Sequence, residues 1–249
     1  MFRNKEYVFN GWNNKAVMLL HGATAGSAYL RPLANYLNCN GYTVYGFNLA
    51  GHGTTTEDLE KTQGEDFIKK AEKDLAKVQA GGYDKVFLAG LSLGGLTTAY
   101  LASNHPELSG IITYAAGLMA IGDVVPQGLG IAGGEDSNYV YRSMEGKTGI
   151  FTEYHVHYEK IPISFYTNIK ILGEEYMAEN MAKKITSPAL FMHAADDSVV
   201  YPKSSEYLYE NCSSKIKELV MLKQGDHAFI LNEYRYEPFE KTLEFLNKL

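Results

Sequence analysis

Residues able to carry nucleophilic chemistry gather at three places: Ser92 within Gly90-Leu91-Ser92-Leu93-Gly94, the pair Asp196-Asp197, and His227 within Gln224-Gly225-Asp226-His227-Ala228. A serine hydroxyl is a weak nucleophile at neutral pH, so it needs a base within hydrogen-bond reach and a group that orients that base. Histidine supplies a base near neutrality, and a carboxylate can hold its ring. The chain order serine, acid, histidine is the one that an α/β sheet with a strand-to-helix nucleophile turn produces. Acyl chemistry at such a serine also needs two backbone N–H groups aimed at the developing oxyanion, each worth about 3 to 4 kcal/mol. One is the amide of Leu93, directly after the serine. The other falls in His21-Gly22-Ala23-Thr24-Ala25-Gly26, where small residues let the backbone approach, and Ala23 is the expected donor.

To lift a serine to the edge of a sheet the chain must turn sharply from strand into helix, and glycine removes the Cβ atoms that would clash there. The motif follows the strand-like run Lys85–Ala89 and opens a helix-forming run, as this turn requires. A glycine-rich turn capped by a serine would also explain Ser92, but it gives no role to the acid and the histidine. Both aspartates follow the apolar run Ala189–Met192, and His227 follows Glu218–Leu222. The residues alone leave open which of Asp196 and Asp197 faces the imidazole. Asp226 adjoins His227 too closely to reach its Nδ1 without strain and reads as a solvated turn residue. His21 reads as a hydrogen-bonded structural residue rather than a second base.

Further strand-length apolar runs lie at Tyr7–Phe9, Ala16–Leu20, Thr43–Phe47 and Ile111–Tyr114, several apolar on both faces as buried parallel strands are. Amphipathic helices alternate with them. Phe67, Ala71, Leu75 and Val78 recur at helical spacing ahead of Gly81-Gly82, and similar periods give helices near 28–38, 93–103, 203–211 and 234–248. The alternation predicts a doubly wound α/β fold, a mostly parallel central sheet with helices on both faces. Between about 117 and 184 the rhythm breaks into a Gly-rich passage (Gly122, Gly128, Gly130, Gly133, Gly134) and then helix-like, Tyr-rich sequence. That stretch is expected to be a small cap inserted into a single domain spanning 1–249.

The bulk properties exclude several classes. With 45% hydrophobic and 21% charged residues the chain has an ordinary globular composition. It contains no run near the roughly 20 apolar residues that a membrane span needs, so no stable membrane insertion is expected. A net charge of -6 without a clustered Lys/Arg face argues against nucleic acid as partner. The N-terminus lacks an apolar signal segment, and the chain reads as cytoplasmic. Cys39 and Cys212 lie far apart without metal-type spacing and read as small buried apolar residues. Either a monomer or a homodimer fits.

At Leu19-Leu20-His21-Gly22, Leu30-Arg31-Pro32-Leu33-Ala34, Leu49-Ala50-Gly51-His52-Gly53, Glu57–Thr62 and Ala89–Gly95, and again at Asp197, Pro202 and His227, the chain resembles a known family. It is similar to the small bacterial carboxylesterases and monoacylglycerol lipases of the α/β-hydrolase fold, the thermophilic Bacillus-type enzymes in particular. The resemblance implies a triad of Ser92, Asp197 and His227, with Asp197 favoured over Asp196 by its spacing from Val199-Val200-Tyr201-Pro202. It implies oxyanion amides at Ala23 and Leu93. The likeness fades across the cap. Where the family often has an aromatic residue after His-Gly, this chain has Ala23, a smaller wall for the acyl site.

The expected reaction is hydrolysis of a small-molecule ester through an acyl-serine, with no metal or organic cofactor. Short or medium acyl esters and monoacylglycerols are the expected substrates. Activity should fall as the pH drops through about 6 to 7, because the imidazole must be neutral to act as base. The substrate is expected to touch Gly22, Tyr166 and apolar cap residues, Ile121 and Val124 foremost, with Val125, Met144, Ile150 and Phe151 among further candidates. Tyr139, Tyr141, Tyr154, Tyr158 and Tyr166 make a hydroxycinnamoyl (feruloyl) ester an alternative. Thioester cleavage on the same triad is another, and a non-catalytic ligand receptor on a hydrolase fold is a third.

Overall fold

The computed structural model describes residues 5–126, 131–133, 137–142, 154, 158 and 160–249. Strand β2 (Lys15–Leu20) carries Met18 and Leu20 on one face and Val17 and Leu19 on the other, and all four are buried. Such a strand must lie between two packed layers. The same alternation in β4 (Lys85–Leu91), β5 (Gly110–Tyr114) and β9 (Ala189–Ala194) sorts the apolar side chains into two clusters. One holds Met18, Leu88, Ile111 and Phe191, the other Val17, Phe87, Ile112 and Leu190. With β1 (Tyr7–Phe9), β3 (Thr43–Phe47) and β10 (Lys217–Leu222) these strands form a seven-stranded sheet in the order β1-β3-β2-β4-β5-β9-β10. Only β1 pairs antiparallel in this sheet.

Helices α3 (Gly64–Gln79), α4 (Leu93–Asn104) and α6 (Lys203–Asn211) cover one face. Helices α1 (Arg31–Cys39) and α7 (Tyr236–Lys248) cover the other. The mostly parallel, doubly covered sheet is the one expected from the alternation of runs. Strands β4 and β9 each extend two residues past the apolar runs that marked them. A short helix, α2 (Thr56–Lys61), lies outside the periodic runs, although Thr55 and Asp58 form a capping box at its start. Cys212 is buried as expected, but Cys39, the last residue of α1, is exposed.

Strands as well as the expected helix-like sequence occur within the 117–184 stretch. It contains an antiparallel three-stranded sheet, β6 (Ile131–Gly133), β7 (Tyr139–Arg142) and β8 (Lys160–Pro162), ahead of helix α5 (Ile163–Ala178). Strands of three or four residues are too short to show a period in sequence. Gly128, Gly130, Gly134, Met144, Ile150 and Phe151 lie outside the described residues. Helix α5 lies close over the main sheet's helices. A Cβ at Gly173 would stand 2.9 Å from the Leu118 carbonyl, and Asn168 Nδ2 donates to the Thr62 carbonyl at 2.9 Å. Phe165 meets the His52 and Phe67 rings edge-on at 5.4 and 6.0 Å.

From β2 the chain proceeds to β3 on one side, whereas from β4 it proceeds to β5 on the other. The loops that follow these two adjacent strands therefore diverge and leave a crevice at their carboxyl ends, which is where α/β sheets bind ligands.

Candidate active site

Ser92 joins β4 to α4 with φ 56° and ψ -116°. A residue with a side chain is held there at a cost of roughly 1 to 3 kcal/mol. Three glycines make the turn possible. A Cβ on Gly90 would collide with the Gly94 carbonyl, one on Gly94 with the Leu20 carbonyl, and one on Gly95 would stand 2.9 Å from Ala116 Cα. Backbone bonds then hold the serine: its N–H donates to the Tyr114 carbonyl, and its carbonyl accepts from the Leu96 and Gly117 N–H groups, each at 2.9 Å. Leu93 opens α4, so its N–H has no intrahelical acceptor and stands at the positive end of the helix dipole.

The loop after β2 passes so close to Ser92 that a Cβ at Gly22 would stand 3.3 Å from Ser92 Cβ. Ala23 therefore sits beside the serine. The next residue, Thr24, has φ 56°, unusual for a β-branched side chain. Its N–H donates to His52 Nε2 at 3.1 Å, while His52 Nδ1–H donates to the Ala50 carbonyl at 2.8 Å. His21 is used the same way, donating from Nδ1 to the Gly22 carbonyl at 2.8 Å and accepting the Leu49 N–H on Nε2 at 3.0 Å. A ring nitrogen that accepts carries no proton, so both imidazoles are neutral. Burial pushes His52 down to about 4. Burial and the neighbouring His52 push His21 well below the ordinary histidine value. His21 is thus structural, as expected, and His52 is a second brace on the loop after β2.

This arrangement has a consequence for acid stability. Below about 6.5 the unfolded chain binds protons on these histidines while the folded chain does not, so stability rises with pH across that window and is lost as pH falls. For His52 alone the loss at pH 5 is about 2 kcal/mol, 1.5 units below its unfolded value. Thermal melts at pH 7 and pH 5 are expected to show a drop in Tm for wild type that is smaller in His52→Gln.

Asp197 follows β9 and His227 follows β10, the neighbouring strand. His227 Nδ1 donates to Asp197 Oδ2 at 2.8 Å, and Asp197 Oδ1 accepts the Val199 and Val200 N–H groups at 2.8 and 2.9 Å. The Asp197 carboxylate is fully buried, and the His227 side chain is 14% exposed. Burial alone would raise the carboxyl. The facing His227 charge and hydrogen bonds from His193, His227 and the Val200 N–H outweigh that and hold it well below the usual carboxylate range. An ionised Asp197 fixes the proton on Nδ1 and leaves Nε2 free to act as base. Asp196 turns elsewhere, accepting the Gly225 and Asp226 N–H groups at 3.2 and 2.9 Å. Asp226 in turn accepts the Ser198 N–H and hydroxyl at 2.9 and 2.7 Å. These two carboxylates tie the acid loop to the histidine loop, more than the turn-forming roles expected of them.

Ser92 and His227 line one cleft together with Gly22, Ala23 and Leu93. Residues 12–234 match Hydrolase_4, the family described as serine aminopeptidase, S33. The chain belongs to that family. A thermostable monoacylglycerol lipase of Bacillus sp. (strain H-257) is 32% identical over 93% of this chain and 90% of its own length. A carboxylesterase of Bacillus subtilis (strain 168) is 30% identical over 98% and 97% respectively. Among solved structures, one of the metagenome-derived lipolytic enzymes LipS and LipT superposes with a TM-score of 0.82 at 25% identity, covering 99% of this chain and 98% of its own. The monoacylglycerol lipase of Paleococcus ferrophilus gives 0.74 at 23% identity over 97% of both chains, a likeness of fold. The Bacillus-type esterase resemblance and the α/β-hydrolase fold class are both borne out.

The remaining wall of this Hydrolase_4 cleft is apolar and only partly as expected. Tyr166 lines it, with Ile169 one turn further along α5, and so do Tyr29, Pro126, Val199 and Val200. Ile121 and Val124 are not among the lining residues. The Ile121 N–H is committed to the Val199 carbonyl at 2.8 Å, and Val124 packs against the core cluster on the α3–α4 face of the sheet. Two of the candidate tyrosines are occupied elsewhere: the Tyr158 hydroxyl accepts the Gly53 N–H at 2.8 Å, and the Tyr139 hydroxyl donates to Glu60 at 3.1 Å. Among the described residues no cluster of His, Cys, Asp and Glu is placed to hold a metal ion, and no helix is long and apolar enough to cross a membrane.

Proposed function

We propose that the protein hydrolyses carboxylic esters of short or medium acyl chains, monoacylglycerols included, with Ser92 as nucleophile, His227 as general base and Asp197 as its orienting acid. Segment 117–184 serves as the cap over this site. Ser92 Oγ attacks the ester carbonyl while His227 Nε2 takes its proton, and the Ala23 and Leu93 N–H groups receive the oxyanion. The carbonyl carbon–oxygen bond to the alcohol breaks, and the alcohol leaves with the proton from His227. Water then gives a proton to His227 and adds to the acyl-serine, releasing the acid and restoring Ser92. The observation that carries this reading is the 2.8 Å bond from His227 Nδ1 to buried Asp197, in a cleft that His227 shares with Ser92.

The family description names an aminopeptidase, and the cleft favours the ester. An aminopeptidase must seat the substrate's α-ammonium against a negative or strongly accepting group, because a cation buried without one is costly. None of the described lining residues is acidic. The engagement of Tyr139 and Tyr158 with the protein itself likewise favours an aliphatic acyl group over a hydroxycinnamoyl one. A panel of p-nitrophenyl esters of increasing acyl length, monoacylglycerols and aminoacyl p-nitroanilides tests the reading. Ester kcat/KM is expected to exceed that for the anilides by about 100-fold or more. Anilide turnover equal to or above ester turnover would overturn it.

A further inference from the structure

We infer that His193 is a positioning residue for the triad, a second imidazole whose Nε2–H is shared between the Val200 carbonyl and the same oxygen of Asp197 that orients His227. The inference rests on the triad reading above. His193 lies near the end of β9, four residues before Asp197, and its side chain is fully buried. Its Nε2 stands 3.1 Å from Asp197 Oδ2 and 3.2 Å from the Val200 carbonyl oxygen. Both neighbours are acceptors, so Nε2 must carry a proton. On the other side, Nδ1 lies 2.8 Å from Ser205 Oγ on α6, whose hydroxyl donates to it when the ring is neutral. The ring is therefore fixed by two different elements.

Asp197 Oδ2 consequently takes the His227 N–H and a share of the His193 N–H, and Oδ1 takes two backbone donors, which occupies the about four acceptor positions of a carboxylate. This has an electrostatic result as well as a geometric one. A carboxylate that shares its charge with His193 stabilises the His227 imidazolium less than one bonded to His227 alone. His193 thereby sets the direction of Oδ2 and restrains the basicity of His227. The groups around His193 are few in kind. Asp197 faces its Nε2, with His227 beyond it on the loop after β10. Helix α6 presents neutral Ser205, β10 places Met221 in register with His193, and segment 117–121, which pairs with the loop at Val199–Tyr201, carries no charged side chain.

The test is the pH dependence of kcat/KM for a p-nitrophenyl ester in wild type, His193→Leu, His193→Gln and Ser205→Ala, with the active fraction counted by fluorophosphonate titration. Leucine removes the donor, so the midpoint of the acid limb is expected to rise by about 0.5 to 1 pH unit. Plateau kcat should fall about 10-fold as Oδ2 loses a constraint. Glutamine, whose amide can donate to Oδ2, should bring the limb back toward the wild-type position. Ser205→Ala keeps the ring but frees Nδ1, and should move the limb the same way by less; it keeps the inference testable if the leucine variant folds poorly. An acid limb unmoved in both, with only the active fraction reduced, would overturn the inference and leave His193 a packing residue. Wild type without Ser92-dependent ester turnover would instead overturn the triad reading itself.

Discussion

Replacing Ser92 by alanine is expected to lower kcat for ester hydrolysis by about 10⁴- to 10⁶-fold and to abolish fluorophosphonate labelling, with the fold retained. The loss is large because nothing else lining the cleft among the described residues is an aliphatic alcohol or thiol that could take over as nucleophile: apart from Ser92 its hydroxyl groups, on Tyr29 and Tyr166, are phenols. Retention of the fold follows from what holds position 92. The bonds that fix it run through its backbone N–H and carbonyl, which alanine keeps. Glycine sharpens the test. At φ 56° a side chain is strained, so Ser92→Gly should be equally inactive yet up to about 1 kcal/mol more stable, seen as a rise in Tm. A stable, inactive glycine variant would show that the strain at this turn is kept for catalysis. An alanine variant that still hydrolyses esters would remove Ser92 from the mechanism.

The parts of the site that could be read from sequence are those in which local geometry dictates residue type. Gly90, Gly94 and Gly95 are readable because any Cβ there meets backbone or a neighbouring Cα. The strands are readable because β2, β5 and β9 are buried on both faces and so are apolar at nearly every position. Beyond these the signal weakens for identifiable reasons. Asp196 and Asp197 are equally plausible by type and position, and only the path of the loop sends one carboxylate to His227 and the other to the Gly225 and Asp226 amides. His193 sits in an apolar strand run, and Asp197, four residues on, is a partner that sequence places nearby without showing that the two side chains meet. Its partners Val200 and Ser205 arrive only when the chain folds back over the strand end. Ile121 and Val124 are apolar cap residues, but an apolar side chain serves a core or a cleft equally well, so type alone does not sort them. Ile169 was findable: it lies three residues after Tyr166 on a helix, and residues at that spacing share a face.

Substituting asparagine for Asp197 should lower kcat by about 10⁴-fold, while the same change at Asp196 should cost less than about 10-fold. The difference follows from counting donors. Four N–H groups converge on Asp197: two from the backbone of Val199 and Val200 on Oδ1, and two from His227 and His193 on or near Oδ2. Asparagine has one accepting oxygen and one NH2 group. If the oxygen stays with the backbone donors, the NH2 group confronts both imidazoles. His227 must then present a bare Nδ1 to receive that hydrogen, which puts its own proton on Nε2, where the base should be empty. If the amide flips, the oxygen serves the imidazoles, but the NH2 group faces two buried backbone donors, at about 1 to 3 kcal/mol for each donor left unpaired. Either orientation damages the site, and the first removes the base outright. Asp196 faces only the Gly225 and Asp226 amides in a more open setting, and asparagine still offers one of them an acceptor. Steady-state kinetics on the two variants therefore separate the neighbours. Comparable losses in both would mean that bracing of the histidine loop by Asp196, rather than orientation of the imidazole by Asp197, limits the reaction.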